Sequence, residues 1–143
     1  MPLSALDFYA ITYSDRPPLL RGRSLRALTP EEMTEACEVL LSAAQRFSCA
    51  HWLLDGRANP FGQPLPLRQW LREEYFPRAR AALGQPLCVA YLITAAFRRE
   101  LDQRGFGTAE ALEPAIGYIG WFVREEEALA WLTQQHPSGT ALS

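Results

Sequence analysis

The 143-residue chain is predicted to be an α/β protein built on a mainly parallel sheet. Three observations predict it. Short apolar runs alternate along the chain with segments of helical period. The run Leu87-Cys88-Val89-Ala90-Tyr91-Leu92-Ile93 is continuously apolar, the mark of a strand covered on both faces. A second run, Cys49 to Leu54, ends abruptly in Asp55-Gly56-Arg57. That is how a buried strand delivers a polar loop to the edge of an α/β sheet, where functional groups gather.

The elements follow in order. Asp7 to Tyr13 is predicted to be the first strand. Asp15-Arg16-Pro17-Pro18 is a turn, with φ fixed at its prolines. Leu19 to Leu28 reads as a second strand interrupted near Gly22, pairing with the first as a hairpin. Thr29-Pro30-Glu31-Glu32 starts a helix: Thr29 caps free N–H groups, Pro30 loses nothing at the first position, and Glu32 closes a capping box. Met33, Ala36, Cys37, Leu40, Leu41, Ala44 and Phe47 then recur at helical spacing. After the Asp55 strand comes a Gly- and Pro-containing loop to Pro66. Leu67, Trp70, Leu71 and Glu74 restart a helical period, which Pro77 should kink or split. A second piece, Arg78 to Leu83, stops at Gly84.

The strand Leu87 to Ile93 leads into a short helix, Ala95 to Gln103, ending before the turn Gly105-Phe106-Gly107. Glu110 to Pro114 is a weak segment, and Ile116 to Val123 is the last strand. Glu125 to Glu127 favour a helix start through the helix dipole, and Ala128, Trp131 and Leu132 form its apolar face. The tail after His136-Pro137 is expected to fray. The order is β-β-α-β-α-β-α-β-α, one domain over 1–143, with right-handed crossovers.

Composition bounds the function. A chain of this length buries roughly 70% of its unfolded surface, so it needs no disulfide or metal staple. The net charge of −2 argues against nucleic-acid binding. All 14 basic residues are arginine, which removes Schiff-base and P-loop lysine chemistry. Cys37, Cys49 and Cys88 are scattered in apolar runs and read as buried free thiols in a reducing compartment. No signal-like start and no apolar run of bilayer length occurs, so a cytoplasmic location without membrane insertion is expected.

Particular segments carry a family resemblance. They are the Thr29-Pro30-Glu31-Glu32 helix start, the Trp52-Leu53-Leu54-Asp55 strand and the strand Leu87 to Ile93. The ending Phe122-Val123-Arg124-Glu125-Glu126-Glu127-Ala128-Leu129-Ala130-Trp131-Leu132 completes them. In order and length the chain resembles the STAS-type fold of the anti-sigma-factor antagonists, and small STAS-like bacterial proteins of unknown function. The resemblance implies a regulatory module working through protein–protein contact. In the antagonists the loop after the third strand carries a phosphorylatable serine. Here that loop, Gly56 to Gln63, has no Ser, Thr or Tyr, so their phospho-switch is not implied. Lipid-transfer folds that hold apolar ligands against a similar sheet are a looser likeness.

The candidate site centres on Asp55 and Arg57. Arg68 and Arg72, four residues apart on the following helix, share a face and with Arg57 would hold a carboxylate or phosphate. The plainer alternative for Asp55 and Arg57 is an Asp-Gly turn with a local salt bridge. Trp70 and Tyr91 belong to an aromatic excess in the second half, either core or one wall of a ligand site. His51 and His136 lack zinc-ligand spacing, so no metal and no cofactor are expected. Glu73-Glu74 and Glu125 to Glu127 make no carboxylate dyad, because adjacent helical residues diverge. The reading is a non-enzymatic interaction module whose partner is another protein or a second copy, with homodimerisation plausible on that view. The alternative is a binder of a small apolar or amphipathic acidic ligand between the sheet and the Trp70–Leu83 segment. An enclosed pocket of several hundred Å³ would mark the latter.

Overall fold

The computed structural model describes residues 6–59, 64–112 and 116–135. They form a six-stranded sheet. β1 (Tyr9–Asp15) and β2 (Pro18–Ser24) pair antiparallel across the two-residue turn Arg16-Pro17, whose peptide bond is cis. α1 (Pro30–Phe47) leads to β3 (His51–Asp55), which joins β2 in parallel. α2 (Leu65–Trp70), a π-helical turn (Leu71–Tyr75) and α3 (Phe76–Leu83) run on to β4 (Leu87–Leu92), parallel to β3. α4 (Ala95–Gln103) is followed by β5 (Ala109–Ala111) and β6 (Gly117–Phe122). β6 lies parallel to β4 and antiparallel to β5, giving the order β1-β2-β3-β4-β6-β5. α5 (Glu125–Gln134) closes the described chain.

Local chemistry explains the helix ends. Glu32 N–H donates to Thr29 Oγ1 at 3.1 Å, and Thr29 N–H donates to Glu32 Oε1 at 3.0 Å, so the predicted capping box forms. Thr94 caps α4 in the same way, donated to by Phe97 N–H. Gly84 ends α3 at φ 70°. Pro77 does split its helix, through a π-helical turn: Phe76 N–H reaches back five residues to Leu71 O. The wider turn accommodates the donor that Pro77 lacks.

Alternation along each strand sorts the residues onto two faces. Tyr9, Ile11, Leu20, Trp52, Leu54, Leu87, Val89 and Ile119 join a front core with α1 and the Leu65–Leu83 segment. Leu19, Leu53, Cys88, Ala90, Leu92 and Phe122 form a back core with Ala128 and Leu132 of α5. The apolar strand Leu87–Leu92 therefore has both covers within its own chain. Trp52 is fully buried and its indole N–H donates to Cys49 O at 2.8 Å, so this large side chain leaves no polar atom unmet.

Three details differ from the sequence expectation. β1 runs two residues later than predicted, with Tyr13 stacked on Phe47 at 4.1 Å between ring centroids. β2 passes through Gly22 without interruption, because a front-face tyrosine occupies the space a side chain there would need. The weak segment predicted from Glu110 overlaps the edge strand β5, so the order gains one strand. Gly117, at φ 140°, starts β6 where a Cβ would stand 2.6 Å from Leu87 N, a position only glycine fills without strain. The predicted fray after His136 and the loop centre at 60–63 lie outside the described residues.

Candidate functional site

A cavity of about 300 Å³ lies on the front face. Its floor comes from the sheet: Leu54 of β3, Tyr91 of β4, and Ile119 and Trp121 of β6. Its roof comes from Met33 and Leu40 of α1, Leu67 and Leu71 of the split helix, and Phe97 of α4. It reaches the carboxyl ends of the parallel strands, where Asp55-Gly56 and Leu92 to Thr94 enter its wall and Gly56 N–H donates to Leu92 O at 3.0 Å. The place follows from topology. Strands diverge at their carboxyl ends, and helices entering from successive crossovers leave a gap there. The lining is dominated by aliphatic and aromatic side chains.

The three arginines singled out from the sequence do not converge. Arg57 curls back onto Asp55, donating from Nε at 3.0 Å and from Nη2 at 2.7 Å. Asp55 has the parity of His51 and Leu53, the back face, and Arg57 joins Arg21, Arg23 and Glu125 around a separate polar groove there. The local salt bridge weighed for this turn is therefore what forms. Burial pushes the Asp55 carboxyl up, but hydrogen bonds from the Arg57 side chain and backbone outweigh it and hold the carboxyl below its ordinary value.

Arg68 and Arg72 do share a wall of the front cavity. Arg72 is ion-paired with Glu110 of the edge strand β5. The Arg68 side chain has no hydrogen bond or ion pair among the described residues, and its Nε is sealed from solvent without a partner. Tyr91 lies on the cavity floor. Trp70 stands outside the lining, stacked on Tyr75 at 5.3 Å between centroids. It supports the wall rather than forming it.

Two phenols and a thiol of the wall are held away from ionisation. Burial pushes the Tyr9 and Tyr75 phenols well above their ordinary value. Tyr75 Oη donates to Cys37 O at 2.6 Å, tying the split helix to α1. Burial, with help from the Glu38 charge, raises the Cys37 thiol to about 12. His51 is buried on the back face, with Nε2 3.4 Å from Gln135 O. No cluster of three or more His, Cys, Asp or Glu that would hold a metal occurs among the described residues. No helix among them is long and apolar enough to cross a membrane.

Sequence reasoning missed Phe97 and Phe106 as cavity residues. Phe97 and Leu101, four apart, were the available signal, since they put one apolar face of α4 toward the sheet. Comparison with known proteins finds no matching family model, no matching curated protein and no matching solved structure. The site must be read from its own chemistry.

Proposed function

We propose that this protein binds a small, largely apolar molecule in the front cavity and does not transform it. The cavity carries the reading. Its volume is about 300 Å³, room for about ten water-sized groups. An apolar cavity with few polar groups is what a small-molecule site requires. Of the side chains that would serve as base or nucleophile, Tyr9, Tyr75 and Cys37 are pushed further from ionisation by burial, and Asp55 is tied by Arg57. The interaction-module reading has less to support it. Among the described residues, Leu25, Leu65 and Tyr118 are the exposed large apolar side chains, one on each of three separate segments. We further propose that the fold is STAS-like. The sheet order and the split between crossover helices on one face and α5 on the other support that reading.

Titration with 1-octanol, followed by backbone amide shifts, tests the binding. Saturable shifts at Leu54, Leu71, Tyr91 and Ile119 are expected. The variant Ala36→Leu, which adds bulk at a buried wall position, should weaken them. Shifts that never saturate, or that gather around the exposed Tyr118, would sink the reading.

A further inference from the structure

We infer, resting on the reading that the front cavity holds a ligand, that this ligand is a monocarboxylate whose anion docks on Arg68. Three charged side chains reach the cavity wall: Asp55, Arg68 and Arg72. Two are already neutralised within the protein, Asp55 by Arg57 and Arg72 by Glu110. Arg68 is left with its charge uncompensated and its Nε buried without an acceptor. A guanidinium has five donors and no means of shedding its proton, so a partly desolvated one favours an anionic acceptor at the donors that stay open.

The acceptor chemistry can be read from within the molecule. Arg78 grips Glu38 through its two Nη groups, at 2.9 and 2.6 Å, two parallel donors matched to the two oxygens of one carboxylate. Arg68 lines an apolar cavity with its Nε closed to contact, which leaves the Nη pair to meet such an acceptor. A planar carboxylate on a hydrocarbon body therefore satisfies both halves of the site. Its body lies among Leu54, Leu71, Phe97 and Trp121, and its head takes the arginine edge. The same arrangement refuses a dicarboxylate. A second anion would sit among apolar walls with no further unpaired cation among the described lining residues, and a buried unpaired carboxylate is strongly disfavoured.

Calorimetric titration at neutral pH with octanoate, 1-octanol and suberate, all with eight-carbon chains, tests this. Wild-type protein should take octanoate about tenfold or more tighter than 1-octanol, the scale of a charge-assisted hydrogen bond, and suberate more weakly than octanoate. Arg68→Ala should erase the preference for octanoate over 1-octanol. Equal binding of octanoate and 1-octanol, or a preference that survives Arg68→Ala, overturns the monocarboxylate assignment and leaves the cavity reading standing. Failure of both octanoate and 1-octanol to bind overturns the cavity reading itself.

Discussion

The ring of Tyr9 occupies the space in front of Gly22. A Cβ built on Gly22 would stand 2.8 Å from Tyr9 Cζ and closer still to the hydroxyl. β1 and β2 can carry a buried tyrosine on the cavity wall only because residue 22 has no side chain. Gly22→Ala should therefore destabilise by about 1–3 kcal/mol, the usual cost of overpacking. It should also push the ring toward the cavity and weaken 1-octanol binding. Urea unfolding with a double-mutant cycle against Tyr9→Phe checks the cause. The phenylalanine should recover part of the loss, and strict additivity of the two changes would refute it.

The Asp55–Arg57 pair predicts a pH effect of definite sign. The folded carboxyl lies below its ordinary value, so its stabilisation is present above the unfolded pKa and is lost as pH falls through the folded one. The arginine side chain is half exposed, so water screens the pair. Arg57→Ala should cost about 0.5–1 kcal/mol at neutral pH. The gap between wild type and variant should close in acid. A gap that stays constant down the acid limb would show that the loss is packing and not charge.

Glu32 sets a second acid limb. Hydrogen bonds from the Arg26 side chain and the Thr29 backbone hold its carboxyl at about 2. Its contribution to stability is full above the ordinary glutamate range and disappears as pH falls toward that value. Glu32→Gln should flatten the stability curve across this interval in urea unfolding. Thr29→Ala, which removes the other half of the capping box, should cost about 1 kcal/mol. Parallel acid limbs in wild type and Glu32→Gln would contradict the assignment.

Much of the fold was legible because its signals are local. Thr29-Pro30 sets the start of α1, Gly84 stops α3, and the helix predicted at Ala95–Gln103 has those ends. Pro77 announced a break but not its form, since a π-helical turn depends on what the widened turn packs against. The three-residue β5 carries no periodicity of its own and exists through its pairing with β6. At the site, the shared face of Arg68 and Arg72 was legible from their spacing. The separation of Arg57 was not, because His51 to Leu54 are buried on both faces and their apolar run conceals which parity faces the cavity.

The sequence by itself determined the element order, the hairpin, the capped helices and the candidate charges, all of which follow from neighbours a few residues apart. Only the tertiary structure decided which of those charges stay uncompensated. Glu110 comes from an edge strand 38 residues beyond Arg72, and no local rule brings the two together. Sheet parity turns Asp55 and Arg57 to the back, pairing takes Arg72, and Arg68 is left in the wall of an apolar cavity. Burial and long-range pairing are properties of the packed chain, and they select one arginine from three.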